Sequence, residues 1–421
     1  MRVLLVGKGG RESALAWALS VSPLVEELHV APGNPGMARF AEQHPTSIDD
    51  LEGIVSLGKR VGSDLVVIGP EAPLASGLAD MVESAGMRPF GPGAAGARLE
   101  ASKSFAKSLM RSSGIPTAAA KQFDIAGDAL AYVRGLPGPA VVKADGLAAG
   151  KGVVVCDDAG QAEAAVVDAM ESKRFGAAGR TVLIEEKLEG EELSVLVLFD
   201  GETWIPLEPA RDYKRVNDGD AGPNTGGMGS YSPVPSCSAE TLSRILDEII
   251  EPTAAAIRSR GIRYRGVIYA GLMLTEEGPK VIEYNCRFGD PETQALIPRL
   301  ESDLAGALTA TADGSLDGVK LTWRPDACVC VVAASGGYPG DYEIGHAIAG
   351  VEGAESITGL PLFHADTRMS DDGGLITAGG RVLGISGLGY DHAAARRQAY
   401  EAAGKVSFEG IHYRTDIASG V

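Results

Sequence analysis

The sequence is short of several things, and each shortage narrows the field. Cysteine is sparse: Cys156, Cys237, Cys286, Cys328 and Cys330. An odd, scattered set gives no disulfide framework and fits reduced thiols in a cytoplasmic protein. No second Cys/His pair with ligand-like spacing accompanies Cys328-x-Cys330, so the run ACVCVVAA reads as a buried strand rather than a zinc site. Positive charge is in deficit, with 38 Lys and Arg against 56 Asp and Glu and a net charge of −18. Nucleic-acid binding through clustered cations is therefore not expected. Long apolar runs are missing too. None approaches the roughly 20 residues needed to span a bilayer, and the apolar stretch after Arg2 is too short for a signal-peptide core. No internal repeat or low-complexity tract is evident.

What is present is a globular composition, 45% hydrophobic over 421 residues. One core seldom grows that large, so two to four domains are expected. In the first hundred residues, short apolar strands (Val3–Val6, Leu28–Ala31, Leu65–Ile68) alternate with helical patterns (Glu12–Leu19, Leu74–Ala85). That alternation predicts a parallel sheet covered on both faces. A loop at Phe90–Gly96 leads to a helix near Ser102–Ser112. Ala140–Lys143, Gly152–Cys156 and Thr181–Glu185 read as strands of a small α+β unit with a helix over Ala159–Ser172. Longer strands follow (LSVLVLF, GVIYAGLML, KVIEYN), with an amphipathic helix marked by Leu242, Ile245, Leu246, Ile249, Ile250 and Ile257. Beyond a boundary at Trp323–Pro325, strands near Val329–Ala333 and Gly380–Ile385 and a helix near Ala393–Ala403 form a last α+β unit.

The chemistry concentrates in a few segments. In VIEYNCRFGDPE, alternation places Val281, Glu283 and Asn285 on one strand face, with Arg287 next in the series. A carboxylate and an amide oxygen two residues apart suit a hard cation such as Mg²⁺ bridging phosphates. Lys143 closes an apolar strand and needs an anion. The loop DGLAAGKG follows it, and Gly146, Gly150 and Gly152 let main-chain N–H groups approach phosphates. It is not a Walker A loop, which joins strand to helix with different spacing. The turn Gly7-Lys8-Gly9-Gly10-Arg11-Glu12 opens a helix and suits an anion. It fails the dinucleotide fingerprint, because Glu12 stands at the last glycine position and no acid ends the second strand. Asp212–Gly229 is polar and glycine-rich and reads as a substrate loop that orders on binding.

Together these motifs resemble the ATP-grasp superfamily, and within it the phosphoribosylamine–glycine ligases. GKGGRESALAWAL, VAPGNPG, VIGPEAPL, KADGLAAGKGV, GPNTGGMGSYSP, YAGLM, VIEYNCRFGDPET and GGYPGDY carry the resemblance, in order, over nearly the whole chain. The resemblance implies an α/β and α+β multidomain fold. Residues 1–103 form a Rossmann-like N-terminal domain on the phosphoribosylamine side, and 104–325 form the ATP-grasp domain with a mobile lid at 121–190. Residues 326–421 form a small C-terminal α+β domain. It implies a cytoplasmic, monomeric enzyme of purine biosynthesis. ATP, with Mg²⁺ or Mn²⁺, joins glycine to 5-phosphoribosylamine through glycyl phosphate, with no nucleic-acid or membrane partner.

Carried over by position, Glu283 and Asn285 are the metal ligands. Lys103, Lys143, Gly146, Gly150, Lys151, Gly152, Glu185, Glu186, Leu188 and Glu192 are the ATP residues. Gly9, Gly10, Arg11, Glu12, Pro32, Gly33, Asn34, Pro70 and Glu71 take the phosphoribosylamine side. Asp212, Lys214, Thr225, Gly226, Gly227, Arg287, Gly289 and Asp290 take the glycine side, with Arg287, Lys143, Asp212 and Lys214 as the catalytic set. Two positions depart from the family pattern: Ser13 and Tyr213 stand where it has histidines.

Overall fold

The computed structural model describes residues 1–148, 152–172 and 174–421. The N-terminal apolar runs become a five-stranded parallel sheet. Its order is Glu42–Gln43, Glu27–Pro32, Arg2–Gly7, Leu65–Ile68, Arg88–Phe90. Val3 to Val6 are fully buried because helices cover both faces. The strand order reverses beside Arg2–Gly7, where open parallel sheets place ligands at the strands' carboxyl ends. Gly7–Gly9 and Gly69–Glu71 leave the sheet there. The helix expected over Leu74–Ala85 is instead two, Glu71–Ala75 and Leu78–Ser84. Gly77 between them takes φ +88°, a left-handed conformation that ends one helix and starts the next.

Two antiparallel four-stranded sheets follow. The first runs Ala120–Phe123, Val182–Glu186, Ala140–Ala144, Val153–Cys156. It packs on its own small core, which includes Val142, Ala162, Val166 and Ile184. The second runs Trp204–Pro206, Glu191–Phe199, Gly266–Thr275, Gly278–Asn285. The amphipathic pattern between its strands forms helices at Ala239–Ile245 and Glu251–Ser259, joined through a π turn that keeps Ile245, Ile249, Ile250 and Ile257 buried.

The last large sheet mixes distant segments. It takes Arg211–Asp212 and Gly229–Ser232 from before Pro325 and pairs them with Ala327–Ser335, Arg381–Gly389 and Phe363–His364. Cys328 and Cys330 are fully buried in it as free thiols. The polar stretch 212–229 folds on itself. Arg215–Asn217 pairs with Ala221–Asn224 as a hairpin, and Thr225 Oγ1 donates to the Lys214 carbonyl at 2.9 Å.

Candidate active site

A cleft of about 770 Å³ opens among the four large sheets. One wall is the Gly278–Asn285 strand. Its pairing slips by one residue: Leu272 faces Val281 while Gly271 faces Glu283, so Ile282 is a bulge. Val281 therefore falls into the core, not beside Glu283 as simple alternation predicts. Glu283 and Asn285 both line the cleft. Burial alone would raise the Glu283 pKa, but the ammonium groups of Lys214, Lys143 and Lys103 outweigh it and hold it at about 2. Lys214 Nζ lies 3.4 Å from both Glu283 Oε1 and Glu192 Oε2.

At one end, Lys143 Nζ donates to the Ile282 carbonyl at 2.9 Å and pairs with Glu185 Oε2 at 2.9 Å. Lys107 takes the other Glu185 oxygen at 3.0 Å. All three are buried. The Glu186 carboxylate accepts the Ala119 N–H at 2.9 Å. Both Glu185 oxygens are thus taken by lysines, whereas Glu186 keeps an oxygen free among the described residues, and Glu185, Glu186 and Glu192 all line the cleft. Lys103 Nζ donates to the Gly146 carbonyl at 3.0 Å, and the Ser104 N–H and hydroxyl hold Asp145 beside it. Burial lowers the pKa of Lys103, with Glu283 opposing. Gly146 has φ +156°, and a Cβ there would lie 2.6 Å from Ala178 Cβ. Gly152 and Leu188 also line this end. Gly150 and Lys151 lie outside the described residues.

At the other end, Arg287 is buttressed by Glu100 at 3.0 Å and Glu71 at 3.4 Å, and it donates to Asn285 Oδ1 at 3.3 Å. Burial works against its charge, but the two carboxylates raise its pKa. Burial raises Glu100 even so. Asp290 is held below its usual range, against burial, by Arg381 and Arg11. Asp212 is pushed up to about 8 by burial, with Glu292, Glu192 and Glu283 adding and Lys214 opposing.

Glu12 explains its own place in the first turn. It accepts the Gly9 N–H at 2.7 Å and pairs with Arg11. A Cβ at Gly7 or Gly69 would strike the Glu12 side chain. The glycines therefore serve a carboxylate, not a dinucleotide.

Gly9, Arg11, Glu12, Pro70, Glu71, Thr225 and Gly226 line the cleft, as do Asp212, Lys214, Arg287 and Asp290. Gly10, Pro32, Gly33, Asn34, Gly227 and Gly289 stand behind it. Asn34 spends its amide on the Lys8 and His364 carbonyls, at 2.7 and 2.8 Å. A Cβ at Gly10, Gly227 or Gly289 would meet Gln294, Pro291 or Glu292. Ser13 and Tyr213 also point elsewhere. Ser13 is bonded to His364, and the Tyr213 hydroxyl accepts the Ala418 N–H at 3.0 Å.

Several lining groups escaped sequence reasoning: Glu100, Lys107, Tyr269, Glu292 and Arg381. Glu292 is buried, accepts from Ser194 Oγ at 3.2 Å and also accepts from the Tyr269 hydroxyl. Arg381 donates to the Gly226 and Asp290 carbonyls, both at 2.7 Å. Glu292 ends a quoted motif and was within reach. Tyr269 opens another, YAGLM; nothing local marks Glu100, Lys107 and Arg381, which tertiary contacts bring in.

Family models match most of the chain. The phosphoribosylglycinamide synthetase N domain covers residues 1–100, its ATP-grasp (A) domain 101–293 and its C domain 328–420. The chain belongs to the phosphoribosylglycinamide synthetase family. It is 48% identical over 421 residues to a phosphoribosylamine–glycine ligase of Nostoc, 99% of each chain, and 50% identical over 417 residues to that of Rhizobium meliloti, 99% of this chain and 98% of the other. A crystal structure of phosphoribosylamine–glycine ligase from Thermotoga maritima superposes with a TM-score of 0.83 at 36% identity, over 99% of this chain and 100% of that one. Biotin carboxylase from Campylobacter jejuni shares the fold alone, with a TM-score of 0.71 at 14% identity, over 98% of this chain and 92% of that one. Among the described residues, no helix is long and apolar enough to cross a membrane.

Proposed function

We propose that this cleft joins glycine to 5-phosphoribosylamine, as the family membership indicates. A glycine carboxylate oxygen attacks the γ-phosphorus of ATP, and ADP leaves. The amine nitrogen of phosphoribosylamine then attacks the carbonyl carbon of glycyl phosphate. Phosphate leaves, a proton is lost, and N1-(5-phosphoribosyl)glycinamide forms. One observation carries the reading: buried phosphate-seeking lysines at one end of a single cleft face a buttressed arginine and acids at the other, with Glu283 between them.

Lys103 and Lys143 hold the phosphates, with Gly146 and Gly152 beside them. With the Glu185 oxygens held by Lys107 and Lys143, the adenosine contacts are main chain from Glu186 to Leu188 and the Glu186 and Glu192 carboxylates. The donor set at Glu283 and Asn285 fits Mg²⁺ or Mn²⁺. Glu283 is ionised, and the Asn285 oxygen keeps a lone pair beyond the one Arg287 uses. Such an ion supplies charge neutralisation on the transferring phosphoryl group. Arg287 is positioned for the glycine carboxylate and then the tetrahedral oxyanion. Lys214 stabilises the acyl phosphate, Asp290 receives the glycine ammonium as a carboxylate, and Asp212, with its pKa raised to about 8, offers glycine a largely neutral hydrogen-bonding group. Gly9, Arg11, Glu12, Pro70 and Glu71 receive phosphoribosylamine, whose phosphate suits the helix start. Catalysis is positioning and charge neutralisation, with no covalent enzyme intermediate.

The domain limits at 103 and 325, the monomeric state and cytoplasmic location belong to the same reading. An ADP-release assay with glycine and phosphoribosylamine omitted in turn tests it. Release requires both substrates, and glycine-independent release refutes the assignment.

A further inference from the structure

The edge of the parallel sheet carries a cluster that the ligation does not use. His29 lies in the Glu27–Pro32 strand, and Glu42 opens the edge strand beside it. The two run parallel, with His29 registered on Glu42. His44 follows two residues after Glu42, so it shares that face, and its N–H donates to the Val30 carbonyl at 2.9 Å. The topology thus aims two imidazoles and a carboxylate at one point. His29 Nδ1 is 3.1 Å from His44 Nε2. Glu42 Oε2 lies 3.6 Å from His29 Nδ1, and Glu42 Oε1 lies 3.8 Å from His44 Nε2. None of the three lines the cleft.

A tetrahedral ion with bonds of about 2.0–2.1 Å sets its donors about 3.3–3.4 Å apart. The three separations bracket that value. Between the facing nitrogens there is room for one proton, while the carboxylate adds only acceptors. A second observation concerns the far side of His29. The residue is 5% exposed, and its Nε2 has no hydrogen-bond partner. That atom faces Glu27 Oε2 at 3.5 Å. Metal-bound histidines place their second nitrogen this way, with the N–H toward a carboxylate.

We propose that His29 Nδ1, His44 Nε2 and Glu42 bind one divalent ion of the zinc class, with water as the fourth ligand and Glu27 orienting His29. Two imidazoles select such an ion over Mg²⁺ or Ca²⁺. Its work is structural. Gln43, between two ligands, donates to the Asn34 carbonyl, so the ion steadies the turn that packs beneath His364.

Metal-stripped, tag-free full-length protein titrated with Co²⁺ tests this. Tetrahedral Co²⁺ absorbs strongly in the visible and octahedral Co²⁺ weakly, which separates this site from one at Glu283 and Asn285. The expected result is strong absorbance saturating at one equivalent, displaced by Zn²⁺ and not by excess Mg²⁺. Glu27→Gln weakens binding by about 10–100-fold. Glu42→Gln and His44→Ala abolish the strong spectrum while the circular dichroism spectrum and ligation turnover stay those of the parent. No uptake, a weak octahedral spectrum, or equal binding by His44→Ala overturns the proposal.

Discussion

Ser13 donates its hydroxyl to the main-chain carbonyl of His364 at 2.6 Å, tying the first helix to the C-terminal sheet. The residue that replaces a family histidine thus works in packing. Tyr213 does the same at the Ala418 N–H, with Arg414 stacked over its ring at 4.7 Å. Ser13→Ala is expected to cost about 1 kcal/mol and Tyr213→Phe about 1–3 kcal/mol, because the Phe variant leaves a buried N–H unpaired. Neither should move the KM for phosphoribosylamine or glycine. Denaturant titration and steady-state kinetics check both. A tenfold KM change at unchanged stability would place these residues in the site (about 1.4 kcal/mol of binding).

His364 gives the same junction a pH dependence. Burial, reinforced by Arg39, lowers its pKa from 6.5 to about 4. Between those values the unfolded chain binds the proton and the folded chain does not, so stability is present above pH 6.5 and lost as pH falls toward 4. The loss attributable to this ring is about 3 kcal/mol. His364→Gln should flatten that part of the stability curve, measured by urea denaturation at pH 7, 5.5 and 4.5. An unchanged slope rejects the assignment.

Glu185 neutralises both Lys107 and Lys143. Glu185→Gln strands two buried cations, at about 3–5 kcal/mol. On the proposed reading ATP supplies Lys143 with phosphate oxygens, so saturating ATP should raise the melting temperature more in the variant than in the parent. Thermal melts with and without nucleotide decide it. An equal ATP shift in both proteins would remove Lys143 from phosphate binding.

Glu283→Gln keeps the shape of the strand and removes the charge. Turnover is expected to fall by about 10²–10⁴-fold, with half-saturation by Mg²⁺ moved to higher concentration. Unchanged turnover and Mg²⁺ response would exclude Glu283 as a ligand.

Much of the fold was legible because short apolar runs alternate with stretches of helical period. Arg2–Gly7, Leu65–Ile68 and Ala327–Ser335 declare themselves as buried strands. Two local features did not. Gly77 splits a helix whose apolar pattern reads straight through, and the bulge at Ile282 reverses the face of Val281. Both depend on backbone conformation that residue periodicity does not encode. At the site, motif glycines were readable as a group but not by role. Gly146 borders the cleft, whereas Gly10, Gly227 and Gly289 make room for neighbours behind it. Glu185 and Asn34 entered as ligand contacts through their positions in the family's motifs. Glu185 lines the cleft with its oxygens on Lys107 and Lys143, and Asn34 gives its amide to the Lys8 and His364 carbonyls behind it. Arg381 had no local signature at all.

Arg381 has a further consequence. Its guanidinium holds the Gly226 and Asp290 carbonyls, and the sheet that carries it also carries the strands flanking residues 212–229. The nucleotide end is built without that last unit, whereas the acceptor end leans on it. A fragment stopping near residue 325 would be a nucleotide pocket with one wall gone, not a smaller ligase. In a diverging lineage, changes confined to the final hundred residues could retune the acceptor while leaving the ATP machinery untouched.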